Sequence, residues 1–261
     1  MIFDTHIHLN DEKLIENLDQ EISEAREVGV SKFLCVGFDI ESSKKAVQIA
    51  DKYDCVFAAV GIIPTEHEQY DANTINEIRK IALSSKKVKA IGEIGLDYYW
   101  EKDDETKTIQ KEMFLKQIDL ANELNLPISI HARDSLSDIL EILKKHPVKQ
   151  AGIMHCYSGS TELAKEFVKL GYKIAFGGVL TFKNSKKTKE VFKDIGLENA
   201  VFETDAPYLS PEPNRGKINL PKYLADTVKF AANTYSFDLN ELEKITFENS
   251  LNILHVEKNE K

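Results

Sequence analysis

Two histidines separated by one residue, His6 and His8, end the first apolar run of the chain, and Asp4 precedes them at the same spacing. If this run is a β-strand, residues two apart point to the same side, so two imidazoles and one carboxylate share a face. Neutral imidazole is the commonest side-chain ligand of metal ions. The pair therefore indicates a metal site, and the alternative is a solvated strand end without a ligand role.

Residues of the same kind end several later apolar runs. Glu93 lies in Ala-Ile-Gly-Glu-Ile-Gly, His131 and His155 each follow an apolar run, and Glu203-Thr-Asp205 follows the last one. A core histidine bonded to the backbone explains any single position, but four histidines with carboxylates at successive strand ends favour one shared site. Nitrogen and oxygen ligands suit Zn²⁺, Mn²⁺ or Mg²⁺. Six ligands exceed the three protein ligands of a catalytic zinc, so we predict two divalent ions bridged by Glu93.

These residues can meet only if the runs that carry them form neighbouring strands. Short apolar runs alternate with longer amphipathic ones, and strands are predicted at residues 2–5, 32–36, 56–60, 90–94, 127–130, 151–154, 172–176 and 200–203. Apolar residues at helical spacing predict helices over residues 14–25, 109–121, 163–170 and 224–235. Strands that alternate with helices predict a parallel sheet covered on both faces.

The number of strand–helix units decides between two parallel architectures. Eight units fit the closed (β/α)8 TIM barrel, which takes about 250 residues and carries its active site at the C-terminal strand ends. An open doubly wound sheet needs a Gly-rich loop after the first strand, where this chain has His-x-His. We therefore predict an α/β protein with a (β/α)8 TIM barrel fold, in one domain over residues 1–261.

Composition limits the classes of partner and the compartment. A net charge of −9 argues against a broad nucleic-acid footprint, although metal ions could still hold a phosphate in a pocket. Three cysteines without a Cys-x-x-Cys pair indicate a reducing compartment. The sequence shows no signal peptide and no membrane-spanning run, so a cytoplasmic location is expected, with no membrane and no obligate protein partner.

Seven motifs in order carry a resemblance to a known family. They are Asp-Thr-His-Ile-His-Leu (4–9), Ala-Ile-Gly-Glu-Ile-Gly-Leu-Asp-Tyr-Tyr-Trp (90–100), Leu-Pro-Ile-Ser-Ile-His-Ala-Arg-Asp (126–134), His-Cys-Tyr-Ser-Gly-Ser (155–160), Phe-Gly-Gly-Val-Leu-Thr-Phe-Lys-Asn (176–184), Glu-Thr-Asp-Ala-Pro-Tyr-Leu (203–209) and Arg-Gly-Lys (215–217). Together they resemble the TatD family of metal-dependent deoxyribonucleases, which belongs to the amidohydrolase-like barrels.

The resemblance implies an activity and a division of the ligands. It implies hydrolysis of nucleic-acid phosphodiester bonds, commonly as a 3′-to-5′ exonuclease on single-stranded DNA. One metal ion would be held by His6, His8, Glu93 and Asp205, and the second by Glu93, His131 and His155. Glu93, Asp205 and Glu203 would carry the catalysis, with Asp205 helping to deprotonate a water molecule.

The chain departs from the family pattern at two places. Relatives usually have Gly-x-His-Pro after the third strand, whereas this chain has Ile63 in place of that histidine and His67 four residues later. His67 could reach back into the site, but a solvated loop position is the favoured interpretation. The family's Arg-Gly-Lys-Arg-Asn-Glu-Pro is here Arg-Gly-Lys-Ile-Asn-Leu-Pro (215–221), which removes one basic and one acidic group.

Other residues around these motifs have weaker signals. Glu203 stands two before Asp205, so we expect it to point inward and orient a ligand histidine or a water molecule. Arg133 and Arg215 could bind substrate phosphate, or each could form a surface ion pair. Tyr98-Tyr99-Trp100 could stack bases or simply pack a loop. Cys156 is adjacent to His155, so we expect it to face away from the ligands into the core.

Two other functions are compatible with the same ligands. The first is a metal-dependent hydrolase of a small ester, amide or lactone, which the absence of a histidine at Ile63 favours. The second is an inactive metal-binding scaffold, which the presence of all six ligands disfavours. Hydrolysis of nucleic acid remains the preferred prediction.

Overall fold

The structure, a computed structural model, describes residues 1–100 and 102–260. Within these residues the chain forms eight strands, each followed by at least one helix. The strands are β1 Ile2–Ile7, β2 Val30–Val36, β3 Val56–Val60, β4 Val88–Asp97, β5 Ile128–Arg133, β6 Gly152–Met154, β7 Lys173–Phe176 and β8 Ala200–Phe202. The α-helices are α1 Glu12–Ile15, α2 Leu18–Glu27, α3 Ile40–Lys52, α4 Thr74–Leu83, α5 Asp104–Leu124, α6 Leu136–Lys145, α7 Thr161–Lys169, α8 Lys186–Asp194, α9 Leu224–Tyr235 and α10 Leu239–Ile253.

The strands form one parallel sheet in the order β1 to β8, and hydrogen bonds beyond β8 join it back to β1. The backbone N–H of Asp205 donates to the carbonyl of His6 at 2.9 Å. The buried carboxylate of Asp4 accepts from the N–H of Thr204 at 2.9 Å and from its hydroxyl at 2.7 Å. The predicted (β/α)8 TIM barrel is confirmed.

Side chains that alternate along each strand pack into two buried layers. Phe33 of β2 belongs to the layer between the strands and the surrounding helices, whereas Leu34 belongs to the layer inside the barrel. The inner layer also includes Phe247 of α10, whose ring centre lies 6.3 Å from that of Phe3. Because Phe3 is near the start of β1, α10 covers the end of the barrel where the strands begin. The opposite end is left open for a site.

Three strands continue further at their C-terminal ends than their apolar pattern predicted, and the first of them, β1, ends at Ile7 instead of residue 5. β4 continues to Asp97 instead of ending at Ile94, and β5 continues to Arg133, because the two strands stay paired over these residues. Gly95 allows this close pairing, since it has φ 146° and a Cβ there would lie 2.0 Å from the carbonyl oxygen of His131. The longer strands place additional polar side chains at the open end of the barrel.

One predicted helix is not continuous. The apolar spacing from Leu14 to Ala25 predicted a single helix, but α1 ends at Ile15 and α2 begins at Leu18. Asn17, between them, has the non-helical angles φ −122° and ψ 25°. The predicted helices over residues 109–121, 163–170 and 224–235 correspond to α5, α7 and α9. No helix in the described residues is both long and apolar enough to cross a membrane.

Candidate metal centre

The six predicted ligands lie close together at the C-terminal ends of the strands, and all but the fully buried His6 line one cavity there. β1 carries His6, β4 carries Glu93 and β5 carries His131. Three others lie in the loops just beyond strands, namely His8 after β1, His155 after β6 and Asp205 after β8. The barrel therefore brings together side chains that lie up to 199 positions apart in the sequence.

Glu93 lies in the middle of this set and presents one carboxylate oxygen to each side. Its Oε2 is 3.4 Å from Nε2 of His6 and 3.9 Å from Nε2 of His8. Its Oε1 is 2.8 Å from Nδ1 of His131 and 3.9 Å from Nε2 of His155. This division of the two oxygens is the arrangement expected of a carboxylate that bridges two ions.

Asp205, in the loop just beyond β8, contacts three of the predicted ligand histidines. Its Oδ1 lies 3.9 Å, 3.5 Å and 3.6 Å from the Nε2 atoms of His6, His8 and His155 respectively. The residue has φ 56°, and its N–H is held by the carbonyl of His6. The same backbone bond that joins β8 to β1 therefore fixes this carboxylate among three imidazoles.

The first two histidines are oriented by contacts to their other ring nitrogen. Nδ1 of His8 lies 3.0 Å from the carbonyl oxygen of Val36, which can only accept, so Nδ1 donates. In the neutral ring this leaves Nε2 unprotonated and facing Glu93 and Asp205. Nδ1 of His6 lies 3.3 Å from the hydroxyl of Ser129. Both rings are thus held with Nε2 toward the centre of the cavity.

Glu203 orients His155 as the sequence predicted. Its Oε2 lies 2.9 Å from Nδ1 of His155, and its Oε1 accepts the N–H of Cys156 at 2.7 Å. Glu203 is fully buried and points inward, so it supports a ligand without being placed to face the cavity itself.

The orienting group of His131 is Asp97, which the sequence analysis missed. Nε2 of His131 lies 2.9 Å from Oδ2 of Asp97, while Nδ1 faces Glu93. Oδ1 of Asp97 accepts the N–H groups of Tyr99 and Trp100 at 2.9 Å and 3.2 Å. Asp97 stands four residues after Glu93 on the same strand, an even spacing that places both on one face. That spacing was the available signal, but the predicted strand ended too early to use it.

The donor atoms fit divalent cations. Two ligands of a tetrahedral zinc, each about 2.0–2.2 Å from the ion, lie about 3.3–3.6 Å apart. The nitrogen–oxygen separations among His6, His8, Glu93 and Asp205 are 3.4–3.9 Å, close to that range. Nε2 of His6 is buried and has no hydrogen-bond partner among the described residues. Such an atom is costly to bury unless a ligand or ion satisfies it.

The electrostatics of the site reflect many carboxylates close to imidazoles. Burial opposes charge on His155, but Glu203 and Asp205 outweigh it and raise its pKa to about 10. Burial also opposes charge on His131, whose pKa is nevertheless raised to about 9 by its bonds to Asp97 and Glu93. Burial would raise the pKa of Glu93, yet the neighbouring imidazoles hold it well below its usual range. Anionic oxygens therefore attract cations into the cavity.

The ligands open into a cleft of about 440 Å³. Ile63 lines this cleft, so the position where relatives usually have histidine does face the site. His67 lies on the short 3-10 helix Pro64–Gln69 and is not among the residues that line the cleft in the described part of the chain. Arg133 also lines it, with Cζ 3.9 Å from the ring centre of Tyr99 and 5.4 Å from that of Trp100.

Cys156 and Arg215 are the two remaining residues for which the sequence made a prediction. Cys156 was expected in the core, facing away from the ligands, and this is wrong: it lines the cleft. β6 ends at Met154, and Cys156 has φ 43°, so strand alternation does not apply to it. Burial raises the pKa of its thiol well above the usual value, which keeps it neutral. Arg215 does not line the cleft; it lies on Phe182, with Cζ 4.1 Å from the ring centre, and 4.0 Å from Glu212.

Comparison with known proteins agrees with this fold. The profile of the TatD related DNase family matches residues 3–255. The uncharacterized metal-dependent hydrolase YabD of Bacillus subtilis (strain 168) is 40% identical over 257 residues, which cover 98% of this chain and 100% of that protein. YcfH of Escherichia coli (strain K12), also an uncharacterized metal-dependent hydrolase, is 31% identical over 98% of this chain and 96% of its own. The crystal structure of YjjV, a TatD homolog from Escherichia coli K12, superposes with a TM-score of 0.93 at 27% identity over 98% of each chain. The chain belongs to the TatD related DNase family and is a metal-dependent hydrolase.

Proposed function

We propose that this protein hydrolyses phosphodiester bonds of nucleic acid, as a 3′-to-5′ exodeoxyribonuclease on single-stranded DNA, in one domain over residues 1–261. The observation that carries the proposal is the position of Glu93, with one oxygen toward His6 and His8 and the other toward His131 and His155. A pair of bridged cations is the usual means of stabilising both the attacking and the leaving oxygen in phosphodiester cleavage. The family name supports the same substrate class.

The proposed ligand sets are those that the family resemblance implies, and the distances around Glu93 support them. His6, His8, Glu93 and Asp205 would hold one divalent ion, and Glu93, His131 and His155 the other, with Zn²⁺, Mn²⁺ or Mg²⁺ as candidates. When bound, such ions lower the pKa of a water molecule and neutralise charge on the phosphoryl group. Their combined charge also allows a chain of net charge −9 to bind an anionic substrate.

The side chains of this protein supply the remaining functions. Burial would raise the pKa of Asp205, but His155 and His8 outweigh it and lower the pKa, so the carboxylate is ionised at neutral pH. Asp205 is thus able to accept the proton of the water that attacks phosphorus. Glu203 and Asp97 hold the rings of His155 and His131, and Arg133 at the cleft is positioned to bind a phosphate oxygen.

A second candidate function is hydrolysis of a small ester, amide or lactone. Ile63, Val179 and Leu209 line the cleft beside the ligands, so part of its wall is apolar. An apolar wall suits the uncharged part of a small acyl substrate better than a phosphodiester backbone. Isoleucine at position 63 also cannot donate a proton to a departing nucleotide.

One experiment separates these candidates. End-labelled single-stranded and double-stranded DNA and a panel of p-nitrophenyl esters and lactones are incubated with the protein in Zn²⁺, Mn²⁺ or Mg²⁺. We expect metal-dependent shortening of the single strand from its 3′ end, which a chelator abolishes and Asp205→Asn removes. Turnover of esters or lactones without cleavage of DNA would contradict the nuclease proposal and support the second candidate function. No turnover of any substrate by the metallated protein would contradict both.

A further inference from the structure

A basic segment lies next to the proposed catalytic cleft. The chain contains 43 acidic residues, yet none falls within residues 167–189, which carry six lysines. This segment includes β7, the loop that follows it and the start of α8, so part of it lies at the same end of the barrel as the site. Lys183, Lys186 and Lys187 are exposed there. Within 4 Å of these three ammonium groups, the described residues offer no carboxylate oxygen.

Two of these lysines border a second pocket, which is a neighbour of the cleft. It has a volume of about 390 Å³, and its wall includes Phe182, Asn184, Lys186 and Lys187. Val179 lines both this pocket and the catalytic cleft. The two cavities therefore adjoin at Val179, on the side of the cleft where a bound strand would continue.

The loop after β8 places a further cation beside this pocket, against its residue Phe182. Arg215 lies over the ring of Phe182 with Cζ 4.1 Å from its centre, and Glu212 is the nearest acid, 4.0 Å from the guanidinium. The two loops are joined, because the N–H of Glu212 donates to the hydroxyl of Thr181 at 2.9 Å. In TIM barrels the loops after strands seven and eight frequently form a phosphate site.

We propose that Phe182, Lys183, Lys186, Lys187 and Arg215 form a basic groove that binds the phosphodiester backbone of single-stranded nucleic acid. The groove holds the nucleotides adjacent to the one being cleaved, and this role rests on the proposed nuclease function. Binding is to phosphates, because the charged groups of the groove are ammonium and guanidinium groups and Arg215 covers one face of Phe182, its only aromatic ring. The groove thus selects a strand over a mononucleotide or a small ester, in a chain whose net charge is otherwise repulsive.

The test compares binding of long and short strands to the metallated full-length protein. Fluorescence anisotropy is measured with labelled phosphorothioate dT15 and dT3, which resist hydrolysis, between 0.1 and 1 M salt. Each phosphate contact contributes about −0.7 to the slope of log K against log salt for single strands. The double variant Lys186→Gln with Lys187→Gln should therefore lose about 1.4 from the slope for dT15, which is about 25-fold weaker binding at 0.1 M salt if binding converges at 1 M.

A matched control removes the same charge elsewhere. Lys144→Gln with Lys145→Gln changes an adjacent lysine pair at the C-terminal end of α6, the end of the helix far from the cleft, and should leave the dT15 slope unchanged. A strand of rU15 should lose affinity like dT15 if the backbone charge is what is recognised. An unchanged dT15 slope in the Lys186 and Lys187 variant, or an equal loss in both variants, would overturn the groove.

Hydrolysis of ordinary dT15 distinguishes failure of the groove from failure of the nuclease proposal. Lysine-dependent binding without any cleavage of dT15 would leave the groove in place and remove the nuclease function. Cleavage of dT15 together with binding that does not depend on Lys186 and Lys187 would support the nuclease function and overturn the groove.

Discussion

Replacing Asp97 by Asn tests whether the proposed metal site around His131 depends on a carboxylate that does not itself face the cavity. Asp97 is almost fully buried, and its two oxygens accept from three N–H donors. Oδ2 faces Nε2 of His131 at 2.9 Å, and Oδ1 accepts from the backbone of Tyr99 and Trp100. Burial would raise the pKa of Asp97, but the bond to His131 and the backbone bonds outweigh it, so the group is anionic.

The size of the effect follows from counting acceptors. Asparagine has one acceptor oxygen and one donor amide, so it can satisfy either His131 or the backbone of residues 99 and 100, and it opposes the other with a second donor. A hydrogen bond to a charged group contributes about 1.5–3 kcal/mol, and losing the partner that orients a ligand histidine typically costs about 10–100-fold in metal affinity. We expect a loss of that size for the ion held by Glu93, His131 and His155. The ion held by His6 and His8 should be bound nearly as before.

The measurement is a metal titration by isothermal calorimetry, with circular dichroism to check folding. Asp138→Asn is the matched control, because Asp138 accepts from the hydroxyl of Tyr98 at 2.9 Å and so supports the same loop without touching His131. Two equally tight ions in Asp97→Asn would refute the reasoning. An equal loss in Asp138→Asn would attribute the effect to the loop and not to the bond with His131.

Three further predictions concern the same cavity. We expect two divalent ions per chain by elemental analysis, with Glu93→Gln weakening both and His6→Ala mainly one; a single ion at saturation would contradict the bridged pair. We expect activity to fall at acid pH and the acid limb to move to lower pH as metal is raised, because the pKa values of about 10 and 9 at His155 and His131 mean that metal must displace protons there. If the acid limb does not move with metal concentration, the loss of activity comes from protonation of a group other than these histidines. We expect Ile63→His to raise DNA hydrolysis by up to about 10²–10⁴-fold, the usual value of general acid–base assistance, and to raise release of p-nitrophenol from a phosphodiester much less, because that leaving group needs no proton. Equal gains on both substrates, or none, would exclude a role in proton transfer.

The fold was predictable because its signals are local and repeated. Apolar runs alternate with amphipathic ones along the whole chain, and in each parallel strand burial on both faces requires such a run. Where the strands end is not a local property. β4 extends to Asp97 because it stays paired with β5, an interaction between segments about 36 residues apart that no single-strand pattern contains. The orienting role of Asp97 was missed for that reason.

Positions just beyond a strand were the other source of error. Alternation predicted that Cys156 faces away from His155, but it presumes extended backbone, and Cys156 has φ 43°. Its N–H points to Glu203, 47 residues later in the chain, so the turn is set by a distant carboxylate. The types of residue in the site could therefore be read from the sequence, whereas their contacts could not.

The way in which the barrel closes explains why the ligands nevertheless converge. The N–H of Asp205 donates to the carbonyl of His6, and the N–H of His8 donates to the carbonyl of Ala206, so the joint between the last and first strands runs through three of the predicted ligands. On another side of the cavity the N–H of Glu93 donates to the carbonyl of Gly37, just beyond β2. The same backbone bonds that complete the ring of strands thus set the separations among the donor atoms. The geometry of the candidate metal centre is consequently a property of the closed barrel, and a substitution that loosens the joint between β8 and β1 should act on metal binding as well as on stability.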